Sequence, residues 1–319
     1  MKTGAVILAA GAPGEIKEGK PMMCVGQKPM IRHIVDTLTE LKLSPIVVVT
    51  GYRSDIIERC LASTGAAIVR NRKFASTDMF CSLKLGIAAL AEGCDRAFVF
   101  PADLPLVRPE TLRQLMSCTA PLVKPSIEGR EGHPILISRE LFGAVEQYSG
   151  EGGLRELLGG LDADVRVVPV EDRGVLLDVN SYEEYEQVLA MEAQRCGRGK
   201  LHAECDILLS VDDVIMNRET MRLLEMVQYT GSLQLASELM NVPYTRSWRQ
   251  IKNMERQLGV PIVRSAAGGA RGGGSLLTEQ GTALLEAYQN MSKECAKLSN
   301  WLFQEYFSDD FVEKLQNER

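Results

Sequence analysis

Hydrophobic positions in the first 190 residues alternate between short apolar runs and longer amphipathic stretches. The apolar runs predict strands at Ala5–Ala10, Pro45–Gly51, Ala66–Asn71, Arg96–Asp103 and Val165–Val170. Between them lie segments with helical spacing, among which Met30–Leu43 and Phe80–Leu90 are clear. This alternation is typical of βαβ units and predicts a mostly parallel sheet covered by helices on both faces. Ligands of such sheets bind beyond the carboxyl ends of the strands.

The alternating pattern stops after a helix predicted at Tyr182–Ala193. Two glycines lie among basic residues in Gln194–Lys200, which favours a linker. Because 319 residues exceed what one hydrophobic core usually organises, we expect two domains. The predicted boundaries are a domain at 1–193, a linker at 194–202 and a second domain at 203–319.

The second domain is predicted to contain two strands, three helices and a glycine-rich hairpin. The strands are expected at Leu201–Leu209 and Val211–Met216, and the helices at Glu219–Gln228, after the cap Ser232 and at Tyr244–Leu258. The lengths and turns fit a helix-turn-helix. Ser265–Gly274 lies between two apolar segments and is predicted to form the tip of a hairpin, a wing that contacts phosphates.

The third of these helices has one apolar and one basic face. Helical spacing predicts that Trp248, Ile251 and Met254 pack into the domain. The opposite face carries Arg246, Arg249, Asn253 and Arg256. From 243 to 271 the chain has six basic residues and one acidic residue. A basic run of this kind is commonly a solvated helix face, but beside a predicted wing it favours DNA binding.

Composition narrows the class of protein. Apolar residues make up 45% and charged residues 24% of the chain, which is ordinary for a globular protein. No apolar run has the length of a membrane span, so we expect a soluble, cytoplasmic protein. Eight cysteines without a Cys-x-x-Cys spacing predict reduced thiols rather than structural zinc. A net charge of -6 argues against indiscriminate coating of nucleic acid.

Two loops that follow strands carry candidate chemistry. The loop Gly11–Lys20 has glycines that let backbone N–H groups approach a polyphosphate, and Lys20 is placed to hold phosphate oxygens. The alternative is a polar turn with a solvated lysine. Asp103, at the tip of a buried strand, offers a carboxylate to Mg²⁺. The alternative for Asp103 is a cap of the helix near Pro109 or an Asx turn.

A third group of candidate ligands follows the last predicted strand of the first domain. Asp178 and Asn180 supply a second oxygen ligand for a metal at this position. Either residue could equally cap the helix that begins near Tyr182. Both interpretations remain open from the sequence.

Six motifs in order over 1–193 resemble the nucleotidyltransferases of molybdenum cofactor maturation, in particular their cytidylyltransferase branch. The motifs are Leu8-Ala9-Ala10-Gly11 with Lys20, Asn71 with Asp78–Leu83, Asp103-Leu104-Pro105, Gly129–Pro134, Gly150–Arg155 and Leu177–Asn180. The resemblance implies a Rossmann-like three-layer α/β/α domain that transfers a nucleoside monophosphate from an NTP to a phosphate group and releases pyrophosphate. It implies Mg²⁺ as the cofactor, CTP as the expected NTP and a pterin-type or other phosphate-bearing acceptor.

The resemblance also assigns roles to individual residues. It implies that Lys20 and Asp103 are catalytic and that Asp103 and Asn180 hold the metal. The residues implied in NTP binding are Leu8, Ala9, Ala10, Gly11, Lys20 and Ser82.

The chain departs from this pattern in two places. Glu15-Ile16-Lys17 stands where the family typically has Arg, then Met and Gly, and Asn180 stands where this branch typically has Asp. A carboxylate facing a triphosphate would weaken binding. An alternative function is therefore a transcription regulator whose degenerate transferase domain senses a nucleotide or cofactor.

The segment from about 201 to 291 resembles the winged helix of molybdate-responsive transcription regulators, which is similar to LysR-type domains. The motifs are Thr230-Gly231-Ser232, Val242–Trp248, Gly268–Gly274 and Leu277–Gly281. The resemblance implies that Tyr244, Thr245, Arg246 and Arg249 enter the major groove of DNA and that Arg271 reaches the backbone or minor groove. We expect no counterpart of the oxyanion-binding domain of those regulators in this sequence. Apolar positions after Gly281 predict helices that form a homodimer.

Overall fold

The computed structural model of the chain describes residues 1–11, 16, 19–26, 28–90, 93–150, 152–160, 164–197, 203, 205–269 and 272–307. These residues divide into two compact units, Met1–Ala193 and Gln194–Arg319. None of the helices in the described ranges is both long enough and apolar enough to traverse a bilayer.

The first unit contains ten strands and seven α-helices among its described residues. The strands are β1 Thr3–Ala9, β2 Cys24–Val25, β3 Lys28–Pro29, β4 Ile46–Thr50, β5 Ala67–Arg70, β6 Arg96–Pro101, β7 Leu122–Ile127, β8 Arg130–Glu131, β9 Ile135–Ser138 and β10 Val165–Pro169. The helices are α1 Met30–Glu40, α2 Ser54–Leu61, α3 Met79–Leu90, α4 Pro109–Met116, α5 Phe142–Gln147, α6 Gly153–Gly160 and α7 Tyr182–Gly197.

The main sheet is mixed, with most of its strands parallel. Its order is β10-β7-β9-β6-β1-β4-β5, and β8 pairs with β7 to complete eight strands. β1 is parallel to β4 and β6, β4 to β5, and β10 to β7. β9 alone runs antiparallel to its neighbours β6 and β7 in this order. The carboxyl ends of β1, β4 and β6 therefore meet at one edge of the sheet.

The sheet is covered on both faces, as the resemblance implied. The β1 residues Gly4–Ala9 are all buried, although their side chains alternate between the two faces. On one face Val6 packs against Leu83 of α3. A Cβ on Gly86 would lie 2.3 Å from the Val6 Cγ1, so the missing side chain allows α3 to lie close to the sheet. This confirms the α/β arrangement predicted for the first unit.

Element boundaries differ from the predictions mainly at carboxyl ends. All five predicted strands are present, but β6 ends at Pro101, where its pairing with β1 ends, so Asp103 lies in the loop just beyond. Helix α1 ends at Glu40 rather than at Leu43, because Lys42 has a φ of 57° and leaves the helical conformation. The residues predicted beyond the observed ends of β6 and α1 lie in turns, and a hydrophobic pattern does not distinguish such turns from the element before them.

The second unit has the order strand, strand, three helices, hairpin and a long helix. Its elements are β11 Leu209–Ser210, β12 Val214–Met216, α8 Arg218–Thr230, α9 Leu233–Leu239, α10 Tyr244–Leu258, β13 Val263–Gly269, β14 Gly272–Leu277 and α11 Glu279–Tyr306. The three helices and the antiparallel hairpin β13–β14 confirm a winged helix-turn-helix. Ser232 caps α9 as predicted, because its hydroxyl accepts from the Leu235 N–H at 3.3 Å.

Two predictions at the junction of the units are wrong. Helix α7 continues to Gly197 rather than ending at Ala193, and 198–202 lies outside the described residues. The strand predicted at Leu201–Leu209 is reduced to Leu209–Ser210, and 205–208 has no regular structure. The segment is held by side chains instead, since the Tyr288 hydroxyl donates to the Ile207 carbonyl at 2.6 Å.

Candidate functional site

A cavity of about 350 Å³ opens at the carboxyl ends of β1, β4 and β6. It lies where ligands of open α/β sheets bind. Among the predicted NTP-binding residues, those that line it are Leu8, Ala9, Ala10, Gly11, Lys20 and Ser82. Asp103 lines it as well.

The first predicted loop borders this cavity at both of its ends. Gly11 is exposed after β1, and Lys20 begins a short 3-10 helix after Gly19, whose φ of 99° favours glycine. Ile16 is fully buried and fixes the middle of the loop to the domain. Glu15 and Lys17, which carry the departure from the family pattern, lie outside the described residues.

Lys20 connects the two other groups of candidate residues. Its Nζ donates to the Asn180 Oδ1 at 2.9 Å and lies 3.7 Å from the Asp103 Oδ2. The Asn180 Nδ2 in turn donates to the Asp178 Oδ2 at 2.6 Å. Residues from the first loop, the β6 loop and the segment before α7 therefore meet at one point, although 160 positions separate Lys20 from Asn180.

Asp103 is a largely buried carboxylate. Burial raises its pKa, the ammonium of Lys20 opposes that rise, and the negative charge of Asp178 adds to it. The surrounding groups thus stabilise the charge of this carboxylate by less than desolvation destabilises it. Carboxylates whose pKa is raised in this way are common at functional sites, where a bound cation would stabilise their charge.

The capping alternatives for Asp103, Asp178 and Asn180 are wrong, because the N-cap residue of α4 is Arg108, without a side-chain cap, and Ser181 caps α7. The start of α4 is held by Asp172 instead. The Asp172 carboxylate accepts from the Arg108 N–H at the start of α4 at 2.7 Å and from the Thr111 hydroxyl at 2.9 Å.

At the start of α7 the cap is Ser181. The Glu184 N–H donates to the Ser181 hydroxyl at 3.2 Å, and the Glu184 carboxylate accepts from the Ser181 N–H at 2.9 Å. This reciprocal pair is a capping box.

Ser82 is nearly inaccessible and is oriented by Asn71. The Asn71 Nδ2 donates to the Ser82 hydroxyl and to the Thr77 hydroxyl, both at 3.0 Å, and its Oδ1 accepts from the Lys73 N–H at 3.0 Å. Asn71 thereby fixes the segment that leads into α3. Asp78 accepts from the Cys81 N–H at 2.9 Å, and this backbone hydrogen bond lowers the pKa of Asp78.

The Gly129–Pro134 motif packs behind the Asp178 segment. A Cβ on Gly132 would lie 2.4 Å from the Val175 carbonyl oxygen, and the His133 N–H donates to that oxygen at 2.9 Å. Desolvation lowers the pKa of His133, while the nearby charge of Asp178 raises it. The motif therefore supports the segment that carries Asp178 and Asn180.

The cavity also includes residues that the sequence interpretation missed. Tyr52, Arg53 and Phe74 line it, after β4 and β5. Their signal was present, since Gly51-Tyr52-Arg53 follows a predicted strand at the same edge as Gly11 and Asp103. It was overlooked because no motif of the family resemblance includes it.

The donor set fits a hard divalent cation. Within the described ranges no group of three or more His, Cys, Asp or Glu side chains is arranged to hold a metal. The site does bring together the Asp103 and Asp178 carboxylates and the Asn180 carbonyl. Mg²⁺ typically takes one or two carboxylates and completes its shell with phosphates and water, so a nucleotide can supply the remaining oxygens.

In the second unit, the residues predicted to bind DNA lie on α10. Tyr244, Thr245, Arg246 and Arg249 are all exposed. The Arg246 Nη2 forms an ion pair with the Glu219 Oε2 at 2.9 Å. Arg271 lies outside the described residues. The basic face of α10 is therefore present as predicted.

The packing predicted for Trp248 is wrong. Ile251 and Met254 are buried, but Trp248 is 48% exposed, and the Lys252 ammonium lies 5.9 Å from the centre of its ring. The fully buried Ser247 occupies the packing position of this turn instead. Trp248 therefore adds an aromatic surface to the basic face.

Comparison with solved structures identifies the class of the first unit. The protein Rv0371c of Mycobacterium tuberculosis H37Rv superposes with a TM-score of 0.53 at 21% identity, covering 59% of this chain and 97% of that one. A structure of that protein in complex with manganese is also similar. A nucleotidyltransferase of Methanothermobacter superposes with a TM-score of 0.54 at 20% identity, covering 61% of this chain and 99% of that one. The fold is that of nucleotidyltransferases.

Two family profiles match the sequence. One, described as the MobA-like NTP transferase domain, matches residues 5–166, just over half of the chain. The chain belongs to this family. The other, described as the bacterial regulatory helix-turn-helix protein of the lysR family, matches residues 219–282. Both resemblances inferred from the motifs are thereby confirmed.

Two relatives each match about a third of the chain. The molybdenum-pterin-binding protein MopB of Rhodobacter capsulatus is 33% identical over 104 residues, covering 33% of this chain and 36% of MopB. The bifunctional protein GlmU of Acidithiobacillus ferrooxidans is 31% identical over 122 residues, covering 37% of this chain and 26% of GlmU. The chain thus spans about a third or less of the length of these relatives.

Proposed function

We propose that the first unit transfers a nucleoside monophosphate from CTP to a phosphate-bearing, pterin-type acceptor. An oxygen of the acceptor phosphate attacks the α-phosphorus of the NTP, the bond from that phosphorus to the bridging oxygen breaks, and pyrophosphate leaves with the electron pair. The observation that carries the proposal is the convergence of Lys20, Asp103 and Asn180 at the cavity edge.

The reaction joins two anions, so the protein's part is to position them and to offset their charge. Lys20 would hold oxygens of the triphosphate, and Gly11 leaves its loop open for a close approach of phosphate to the backbone. Ser82, held by Asn71, would contact the nucleotide from α3. In this proposal Lys20 exchanges its contact with Asp103 for phosphate oxygens.

Mg²⁺ is the proposed cofactor. Asp103 and Asn180 would hold it, and Asp178 is available as a further oxygen ligand. When bound, it would polarise phosphoryl oxygens and offset the charge that develops on the leaving pyrophosphate. The desolvated Asp103 carboxylate fits this role, because a cation relieves the cost that burial imposes on its charge.

The test has a binding step and a turnover step. Calorimetric titration with CTP, GTP, ATP and UTP, with and without Mg²⁺, identifies the nucleotide, and pyrophosphate release with a phosphorylated pterin then measures transfer. We expect Lys20→Ala and Asp103→Asn each to lower turnover by at least about 100-fold. Asp55→Asn is the matched control, since Asp55 is exposed on α2 and pairs only with Arg59 among the described ion pairs. Full turnover in both site variants would refute the assignment.

We propose that the second unit binds DNA through α10 and the hairpin β13–β14. The support is the exposed basic face of α10 in a helix-turn-helix of the lysR family. Selection from a random DNA library yields the probe, and we expect Arg249→Ala to weaken its binding and lower the salt dependence by about one phosphate contact. Lys297→Ala is the control, because Lys297 lies on α11 and pairs with Glu294. Unchanged affinity and salt dependence in Arg249→Ala would refute this role.

A ligand-sensing regulator is the second candidate. It is favoured by Glu15, which stands where the family has a phosphate-binding Arg, and by the attached helix-turn-helix. This function predicts that CTP with Mg²⁺ changes the affinity for the selected DNA in a protein without turnover. Equal DNA affinity with and without each NTP would eliminate it.

A further inference from the structure

The cavity needs more positive charge than Lys20 supplies. A nucleoside triphosphate is a polyanion, whereas the Lys20 ammonium is already shared between Asp103 at 3.7 Å and Asn180 at 2.9 Å. Asp78, which also lines the cavity, adds a further negative charge. Within the described ranges, the other cation that lines the cavity is Arg53.

Arg53 differs from two nearby arginines in the ion pairs that the described residues form. Arg59 pairs with Asp55 at 3.2 Å, and Arg70 pairs with Glu58 at 2.5 Å. Among the residues that the structure describes, no carboxylate forms an ion pair with Arg53. The half-buried guanidinium is thus left available beside the cavity.

Packing fixes the position of Arg53 next to the loop Gly11–Lys20. A Cβ on Gly19 would lie 3.5 Å from the Arg53 Cδ, so the arginine stem runs along the residue that immediately precedes Lys20. The guanidinium carbon lies 5.5 Å from the centre of the Tyr52 ring. That ring is 6.4 Å from Phe74, centre to centre, which ties the arginine to the cavity wall.

The backbone of this loop is also constrained towards β1. A Cβ on Gly51 would lie 2.6 Å from the Ala10 carbonyl oxygen, so the loop after β4 passes directly over the end of β1. Arg53 itself has a φ of 52°, a left-handed conformation that carries a steric cost for a residue other than glycine. Glycine would adopt this conformation without that cost, but it would remove the guanidinium.

We propose that Arg53 binds the triphosphate of the NTP as the second cation beside Lys20. Its planar fork of N–H donors matches phosphate oxygens in pairs, a contact that the single ammonium of lysine does not provide. In this way the loop after β4 supplies the arginine that Gly11–Lys20 lacks. The proposal rests on the proposed nucleotidyltransferase function and identifies a nucleotide-binding residue for that same site.

The experiment compares CTP with CMP on the full chain in the presence of Mg²⁺, by calorimetric titration. We expect Arg53→Ala to weaken CTP binding roughly 10- to 100-fold and CMP binding much less, because two phosphates of CTP are absent from CMP. Arg53→Lys should recover part of the loss, since it keeps the charge but not the fork. Arg59→Ala, on the same helix, should bind both nucleotides as the unaltered protein does.

Arg53→Gly separates binding from folding. Glycine relieves the positive φ, so the melting temperature should hold or rise while CTP affinity still falls. Normal CTP affinity in Arg53→Ala, or an equal loss for CTP and CMP, would overturn the assignment. If Arg53→Ala loses CTP affinity but the unaltered protein releases no pyrophosphate with any acceptor, the transferase function fails and the Arg53 contact stands. Absence of NTP binding by the unaltered protein would overturn both.

Discussion

Asp103, which is half-buried, and Asp172, which is buried, are two aspartates of the first unit for which the same substitution should have opposite effects on stability. Asp103→Asn removes a charge that burial disfavours and that Lys20 offsets in part. Asp172→Asn removes a charge that holds the start of α4 through hydrogen bonds from Arg108 and Thr111. We expect the first change to stabilise the unit and the second to destabilise it.

The magnitudes follow from the contacts. The Asp172 Oδ2 accepts from the Arg108 N–H at 2.7 Å and from the Thr111 hydroxyl at 2.9 Å, and its Oδ1 accepts from the Gly174 N–H at 3.1 Å. An asparagine presents one oxygen, so at least one charge-assisted bond is lost and an N–H group faces a donor. We expect a loss of about 2–3 kcal/mol. Asp103→Asn should gain about 0.5–2 kcal/mol, the usual range for a single stabilising substitution.

The gain at Asp103 should depend on pH with a defined sign. Below the unfolded-state pKa of the carboxyl, near 3.8, both states are protonated and the charge has no effect. As the pH rises above this value the unfolded state ionises first, because the folded-state pKa is raised, and stability falls until the folded carboxyl ionises too. The stabilising effect of Asp103→Asn should therefore be absent at low pH and complete at neutral pH.

Thermal unfolding of the full chain by calorimetry, at several pH values, measures both effects. The transition that Asp172→Asn lowers identifies the first unit, and it should move by roughly 2–4 °C per kcal/mol in a domain of this size. Asp103→Asn should raise the same transition at pH 7 while it abolishes pyrophosphate release. Destabilisation by Asp103→Asn at pH 7, similar to that of Asp172→Asn, would refute the reasoning and make Asp103 a structural carboxylate.

Three further results are expected. Ser181→Ala should lower the unfolding free energy by about 1 kcal/mol, measured in urea, because the α7 capping box is lost; an unchanged midpoint would contradict this. Met254→Ala, at a fully buried position, should cost about 2–5 kcal/mol in the same assay, whereas the exposed Trp248→Ala should stay within about 0.5 kcal/mol and weaken DNA binding. Leu298 and Trp301 are exposed on α11, and we expect them to form the interface of a homodimer. The double variant Leu298→Glu with Trp301→Glu should be a monomer in light scattering. An unaltered mass would refute that interface.

Elements that depend on local periodicity were predictable from the sequence. Helix α10 spans Tyr244–Leu258 as predicted, and the five predicted strands are all present, because side-chain alternation and capping residues act over a few neighbouring positions. The family motifs likewise led to Lys20 and Asp103, which line one cavity. The antiparallel strand β9 and the small strands near it were not predicted, since a short apolar run carries no information on direction.

Helix caps and burial show where local reasoning fails. Asp103 and Asn180 were plausible caps by position, but α4 has no side-chain cap at its N-cap residue Arg108, and Ser181 caps α7. Trp248 has the spacing of a packing residue, yet α10 turns so that Ser247 is buried and Trp248 is exposed. A spacing of three or four residues defines a helix face but not how much of its edge the neighbouring elements cover.

The sequence alone determined many of the helices and strands, that there are two kinds of domain, and which residue types are available for phosphate and metal chemistry. Only the tertiary structure brought Lys20 to Asn180 across 160 positions and placed Arg53 against Gly19 beside the same cavity. The physical reason is that these contacts depend on strand order: β1, β4 and β6 are neighbours, so loops far apart in the chain share one edge. Strand order is set by packing of the whole sheet, and no local pattern encodes it.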